Sequence, residues 1–445
     1  MRLTQEQVGW LGTVALMMKT MVGLGVLSIP LAFDSLGLIP GIICMLAIAI
    51  ITTWSDYVVG VFKLNHPDVY GIDDVGHKLF GRVGRIFFGG VFCLYWVFVS
   101  GSGMLSISIA FNTLSEHGTC TAVFVAIAAI IGFGLSSIRT LGKMTWLAWV
   151  GLAGILTSIF VLTVAVGVQD RPAAAPQTGP WEPDFKLFNR DVEWAEAIAA
   201  VSSLVFAYAG TPAFFSIVSE MRDPRMYTRS LICCQTAVTV TYIVIGTVVY
   251  YYCGSLVTSP ALGSAGTLMK KVCYGLALPG LIVTVTLVSH VSAVICKTGS
   301  LTDLRQLPAK YFFLWILRGS KHLTANSFVH WATWLGCTFA VCISAYIIAS
   351  AIPVFGGLVS LIGALLGTLM SFQPMGFMWL YDNWSGDQEK RTAWWRVGVC
   401  WSVFVIVVGS FLMVSGTYGS IVGIMDSYRE SGGSAAWSCA DNSAS

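Results

Sequence analysis

Eleven stretches of this chain are apolar for long enough to cross a lipid bilayer, and no other feature constrains the fold as tightly. They fall near residues 9–33, 39–62, 86–111, 121–138, 145–168, 194–218, 230–252, 273–296, 329–350, 354–380 and 396–424. A spanning helix needs about 20 apolar residues, and hydrocarbon offers nothing to an unpaired backbone N–H or C=O. Helices satisfy those groups internally, whereas the short alternating strands of a barrel do not give runs of this length. The composition agrees, because 56% of the chain is hydrophobic and only 11% is charged, against about 25% charged in a soluble domain. The expectation is an all-α polytopic membrane protein with 11 transmembrane helices, whose first partner is the lipid bilayer.

Lysine and arginine set the orientation. With the N-terminus in the cytosol, 18 of the 25 basic residues fall in cytosolic segments, six fall outside, and Lys19 lies within a span. That asymmetry favours a cytosolic N-terminus and, with an odd number of spans, an extracellular C-terminus. The opening "MRLTQEQVGW" is short and polar and leads straight into the first run, so no cleavable signal is expected. The net charge of +3 comes with no basic, aromatic-interleaved patch, so nucleic acid is not an expected partner. The twelve cysteines lie mostly inside apolar runs with no Cys-x-x-Cys or Cys/His spacing, so neither a metal nor a cofactor is expected. Cys253 and Cys273 flank one outer loop and are candidates for a disulfide. No H-E-x-x-H, G-x-S-x-G or Asp-rich metal motif points to an enzyme.

The spans divide into two sets of opposite sense. Residues 1–168 hold spans one to five, 169–193 form an extracellular Pro/Ala-rich connector that reads as flexible, and 194–380 hold spans six to ten. Residues 381–425 add a cytosolic loop and an eleventh span, and the polar tail 426–445 reads as disordered. Because five is odd, the second set is inverted relative to the first. The first span of each set is interrupted at the corresponding place, by "GLGVLSIP" in one and "FAYAGTP" in the other. Paired interruptions of this kind mark a binding site between inverted repeats.

The chemistry of the breaks narrows the ligand. Glycines at 23 and 25 let the backbone unwind and let a ligand approach it, and Pro30 disfavours a regular hydrogen bond to the preceding turn. Free N–H groups over Thr20, Met21, Val22, Gly23, Leu24, Gly25 and Val26 suit a carboxylate. Free carbonyls over Phe206, Ala207, Tyr208, Ala209 and Gly210 suit an ammonium. An α-amino acid carries both groups on one carbon. Phe206 and Tyr208, with the third span around Trp96–Gly103, would shape the side-chain pocket. No acidic residue is near either break in sequence, which favours neutral L-amino acids as the substrate.

"KTMVGLGVLSIPLAF" and "SSLVFAYAGTPAFFSIVSEMRDP" resemble the first and sixth helices of the amino acid/auxin permease family, and the fungal neutral amino-acid permeases are the most similar subgroup. The resemblance runs over nearly the whole chain. It implies a LeuT-like five-plus-five inverted repeat plus one additional helix, and secondary active amino-acid transport by alternating access, in the plasma membrane or, alternatively, the vacuolar membrane. Sodium-coupled relatives carry an asparagine, resembling a sodium ligand, where this chain has Lys19. A lysine inside a membrane is a functional hypothesis by default. With Ser289 and His290 of the eighth span, Lys19 is the candidate for proton coupling, which makes protons the expected co-substrate. The rival reading is an amino-acid sensor or receptor of the same fold without net transport.

The orientation makes a prediction of its own. The sole glycosylation sequon, Asn383-Trp384-Ser385, lies in an expected cytosolic loop. Asn383 should carry no glycan when the protein is expressed in a eukaryotic cell, and a glycosidase-sensitive mass shift at Asn383 would contradict the orientation.

Overall fold

Where the sequence is apolar over about 20 residues the chain is helical, and most of the surface of those helices is itself apolar. The computed structural model describes residues 8–137, 145–169, 171–172, 175–176, 178, 182–290, 328–384, 392–430 and 436–443, and of 145–148, 290 and 430 the backbone only. Helix α1 (Trp10–Met21) is followed by a 3-10 turn (Gly25–Ser28) that runs into α2 (Ile29–Leu36). Then come α3 (Leu38–Asn65), α4 (Ile72–Ser115), α5 (Thr121–Ser136) and α6 (Thr145–Val168). The second half opens with α7 (Trp194–Ala207), a 3-10 turn (Thr211–Ala213) and α8 (Phe214–Glu220), followed by α9 (Tyr227–Cys253) and α10 (Thr267–His290). Next are α11 (Phe328–Ala351), α12 (Phe355–Leu361), a π-helical stretch (Ile362–Gly367), α13 (Thr368–Ser371), α14 (Gln373–Trp384) and α15 (Ala393–Glu430).

Among the described residues, nine helical segments are each long and apolar enough to span, and α1 with the segment Gly25–Leu36 makes a tenth bent by 44°. The remaining expected span, the fourth (121–138), is α5, whose 16 residues fall short of a full crossing. The chain is an all-helical polytopic membrane protein. Its interior is a belt of α2, the segment Trp194–Glu220 and the segment Phe355–Trp384, enclosed by helices with more exposed faces. α10 packs on α4 and α6, α9 on α1, α2 and α3, and α15 on α7.

Several boundaries differ from the sequence reading. The third span begins earlier, because α4 carries a polar first turn with Asp73 and Asp74 and turns sharply at Gly81, where φ is 65°. Only glycine adopts that backbone cheaply. The connector does not hang free over residues 182–193. Asp184 accepts from the Ser255 N–H at 2.8 Å and the Ser255 hydroxyl at 2.7 Å. These bonds hold its carboxyl below the usual carboxylate range, so the clip is present at neutral pH and weakens as the pH falls through that lowered value. Leu38 and Ile39 donate to the carbonyls of Lys186 and Leu187, so the connector docks on the start of α3.

The polar tail is also ordered where it is described. α15 continues to Glu430, and residues 436–443 return to the ends of α4, α5 and α10. Cys439 is disulfide-bonded to Cys120. Asn112 Nδ2 donates to Asn442 Oδ1 at 2.6 Å, and Asn442 Nδ2 donates to the Ser108 hydroxyl at 3.3 Å. Composition gave no sign of this, because the tail is held by one covalent bond, polar contacts and a single ring contact of Trp437 on Tyr346 rather than by a run of apolar residues. The proposed Cys253–Cys273 pairing does not form: both are buried free thiols, and the Cys253 thiol faces the Ser264 carbonyl. Non-reducing peptide mapping should recover the Cys120 and Cys439 peptides joined; recovery of both as separate free-thiol peptides would contradict this arrangement.

Candidate functional site

α1 ends because the chain turns extended at Val22, whose N–H still closes on the Met18 carbonyl at 2.7 Å. Val22–Leu24 are not helical, and helix resumes at Gly25. Amides at a helix start have no acceptor within the helix, so those at Gly23–Val26 are available to a ligand. Pro30 does not make this break. It sits in the first turn of α2, where a missing N–H costs nothing. α7 ends at Ala207, and Tyr208–Gly210 form a turn before Pro212 opens the next 3-10 segment.

The two breaks lie against each other. A Cβ added to Gly25 would come within 2.5 Å of Ala207 Cα, so only glycine permits the approach. Tyr242 of α9, fully buried, places its hydroxyl 2.8 Å from the Met21 carbonyl and 2.9 Å from the Ala207 carbonyl. One phenolic proton thus serves the last turn of both half-helices. Tyr95 of α4 donates to the Ala209 carbonyl, and the Gly210 N–H closes on the Tyr208 carbonyl. The carbonyls expected to be free at the second break are therefore engaged in this conformation. Beside Gly23 the space is open, since a Cβ there would meet nothing within 4 Å, and the neighbouring Thr20 is exposed.

The other residues singled out from sequence distribute as follows. Phe206 and Tyr208 are buried, and Tyr208 packs on Tyr242 while its hydroxyl donates to Thr239 at 3.1 Å. Lys19 does reach the eighth span, where Nζ donates to the Thr284 hydroxyl at 2.8 Å rather than to Ser289. Ser289 is paired with Ser100 of α4 at 2.9 Å. The reason is helical phase: the five-residue step from Thr284 to Ser289 is well over one turn, so the two side chains face different helices. The His290 side chain lies outside the described residues. A small cavity of about 40 Å³ adjoins Lys19, bounded also by Gly12, Leu16, Trp149 and Leu152.

Sequence reasoning missed two groups. The premise that no acidic residue is near the breaks is overturned by Asp56 of α3, which is fully buried, accepts from Gln235 Nε2 at 2.6 Å and lies beside Thr211. It is distant in sequence and brought there by the packing of α3 on α9, so no local motif could reveal it. Tyr242 was missed for the same reason: a lone tyrosine in an apolar run carries no pattern.

The bundle is closed at one end and open at the other. Val8 pairs with α8's exit, its N–H donating to the Glu220 carbonyl at 3.2 Å and its carbonyl accepting from Arg222 N–H at 3.0 Å. Arg229 lies over the Trp10 ring at 4.5 Å. From the opposite end a cavity of about 810 Å³ descends between α2, α7, α12 and α15 to Ser28, whose hydroxyl donates to the Gly25 carbonyl at 2.9 Å. Glu193, Glu196 and Asp426 stand around it.

This geometry of paired broken helices is matched by relatedness along the whole chain. The transmembrane amino acid transporter protein family matches residues 6–422. The chain belongs to that family. A "Transmembrane transporter" of Fusarium pseudograminearum is 33% identical over 439 residues, covering 98% of this chain and 88% of the relative. The "N amino acid transport system protein" of Neurospora crassa is 31% identical over 441 residues, covering 98% of this chain and 89% of the relative. The Arabidopsis thaliana "Amino acid transporter AVT1H" is 27% identical over 251 residues, about half of each chain, 53% and 54%. The amino acid/auxin permease resemblance read from the two helix motifs is thus shown, and the fold belongs to an amino acid transporter.

Two glycines of one motif should behave differently. Gly25→Val drives a side chain into the Ala207 backbone and should lower the amount of folded protein as well as transport. Gly23→Val fits the present backbone but fills the open space, so transport should fall to background with protein still in the membrane; wild-type uptake by Gly23→Val would remove that space from the site. Tyr242→Phe withdraws the one donor shared by two buried carbonyls and should destabilise the protein by about 1–3 kcal/mol, read as a lower unfolding temperature in detergent. An unchanged unfolding temperature would show that the phenol does not hold the breaks.

Proposed function

We propose that this transporter imports neutral amino acids by secondary active, proton-coupled alternating access, with the substrate held mainly by backbone at the two breaks. The observation that carries the reading is the contact of Gly25 with Ala207, which brings the start of one half-helix against the end of another. Amides at Gly23–Val26 face the carboxylate, and carbonyls near Ala207–Gly210 attract the ammonium once the tyrosines that hold them relax or share them. Side chains around the meeting point, Met21, Tyr95, Ala207 and Tyr242, are uncharged, which favours a neutral substrate. Asp56 is turned to Gln235 and does not change that preference.

Residues 1–168 and 194–380 are proposed as the two inverted repeats of a LeuT-like fold, and the conformation as outward-facing. The cavity then opens outside and the Val8–Met221 pairing seals the cytosolic end. The Cys120–Cys439 disulfide sits at the end assigned to the exterior, where oxidising conditions preserve such bonds, and this supports a C-terminus on the non-cytosolic side, in the plasma membrane or alternatively the vacuolar membrane. Lys19 is proposed to hold α1 to α10 through Thr284, in the place of a monovalent cation, and to favour this state while protonated. Coupling requires only that the two states hold the proton with different affinity.

Uptake of a panel of labelled amino acids into proteoliposomes, with and without a pH gradient, tests the reading. Neutral amino acids should accumulate when a proton gradient is imposed, with no requirement for sodium, and Lys19→Met should lose accumulation while keeping exchange. Saturable binding with no net uptake under any gradient would favour the sensor reading instead.

A further inference from the structure

Among the described residues, Asp56 is the one acidic side chain buried at the heart of the helix belt, and the substrate site has no use for it. It is fully buried, and no lysine, arginine or histidine among the described residues forms an ion pair with it. Its Oδ2 is met by Gln235 at 2.6 Å. Around it, Asp56 Oδ1, Gln235 Oε1 and Thr211 Oγ1 are buried with no hydrogen bond of regular geometry, although Thr211 lies against the carboxyl. Buried polar atoms are almost always well paired, so three oxygens in one cluster without a hydrogen bond of regular geometry are an unfilled capacity.

We propose that Asp56, held by Gln235 and Thr211, is a proton-carrying site that ties the second break to proton movement. This rests on the proton-coupled transport proposed above and adds a residue to it. A lone carboxylate buried in apolar surroundings is costly, and binding a proton removes the charge and supplies an O–H donor for an acceptor that now lacks one. Gln235 accommodates both states. Its amide N–H donates to the carboxylate; with the amide turned over, its Oε1 accepts the proton of the carboxylic acid. The hydrogen bonds around Thr211 must then rearrange. Thr211 is the first residue after the Tyr208–Gly210 turn, so each change of protonation is felt at the hinge of the second broken helix.

The path of the proton follows from the same placement. Thr211 separates the carboxyl from the break, where water entering with the substrate would deliver a proton to Asp56. From Thr211 the chain runs through α8 to the Val8–Met221 seal. Parting of that seal exposes the carboxyl to water on the other side, and the proton leaves as the carboxylate re-forms. The groups that act on this site are Tyr227, whose hydroxyl donates to the Asp56 backbone carbonyl at 2.9 Å, and Cys234, both on α9. Among the described residues, α2, α7, α8 and α14, which also pack on α3, bring no acidic or basic side chain against the carboxyl.

The test uses the full chain in proteoliposomes with a labelled neutral amino acid that the wild type exchanges. Two quantities are read: exchange at equal pH, and accumulation under an imposed pH gradient. Asp56→Asn keeps the shape and a hydrogen bond to Gln235 but cannot cycle a proton. It should retain exchange while accumulation falls about tenfold or more, within the usual range of coupling between sites. Accumulation equal to wild type in Asp56→Asn would overturn the site while leaving proton coupling intact. A wild type that ignores the gradient would overturn the coupling reading itself, and this site with it. If Asp56→Asn fails to reach the membrane or to exchange, Gln235→Leu decides: it leaves the carboxyl and should shift the pH of half-maximal uptake, and an unshifted profile overturns the site. Loss of a sodium or potassium dependence in place of the proton response would show an alkali-cation site and overturn the proposal equally.

Discussion

One phenol holds the centre of this molecule together. Tyr242 stands between the end of α1 and the end of α7 and offers its single proton to carbonyls of both. A broken helix in a membrane is tolerated only where the freed backbone groups find other partners. Here the partners are tyrosines from neighbouring helices, Tyr242 from α9 and Tyr95 from α4. Without them the glycines at the first break would have nothing to stabilise them open. With them, a small unfilled space is left beside the buried Gly23 in an otherwise close-packed interior.

The rest of the bundle is arranged around that patch. The Val8 segment and α8 close one end, and the cavity above Ser28 opens the other. Lys19 and Asp56 flank the breaks on different helices, one linked to α10 through Thr284 and the other to α9 through Gln235. Each therefore bears on a different half-helix. In the proposed proton-coupled cycle, two charge-capable groups acting on two hinges would let each hinge respond to protons, which a single group on one helix would not.

The sequence made the helices legible because the bilayer imposes a minimum length and a composition on them. It made the breaks legible because Gly23, Gly25 and Pro212 stand where helical residues are expected. It misled at Pro30, which reads as a breaker and acts as a helix start, and at the tail, where Cys439 reaches Cys120 across 319 residues. It could not reveal Asp56 beside Thr211, or Ser289 paired with Ser100, because both contacts are made across helices whose relative rotation has no local signature. Lys19 shows the limit well: its helix and its partner helix were legible, but the partner residue was not, since Thr284 and Ser289 differ only in which way they face.

The central claim is that an amino acid is held by the backbone of the two breaks, and a substrate-bound structure tests it most directly. A map of the full-length protein with a transported neutral amino acid should show the carboxylate against the amides of Gly23–Val26 and the ammonium toward the carbonyls of Ala207–Gly210. Ligand density confined to the outer cavity around Glu193 and Glu196, with the breaks unchanged and Tyr242 still bound to both carbonyls, would contradict the account.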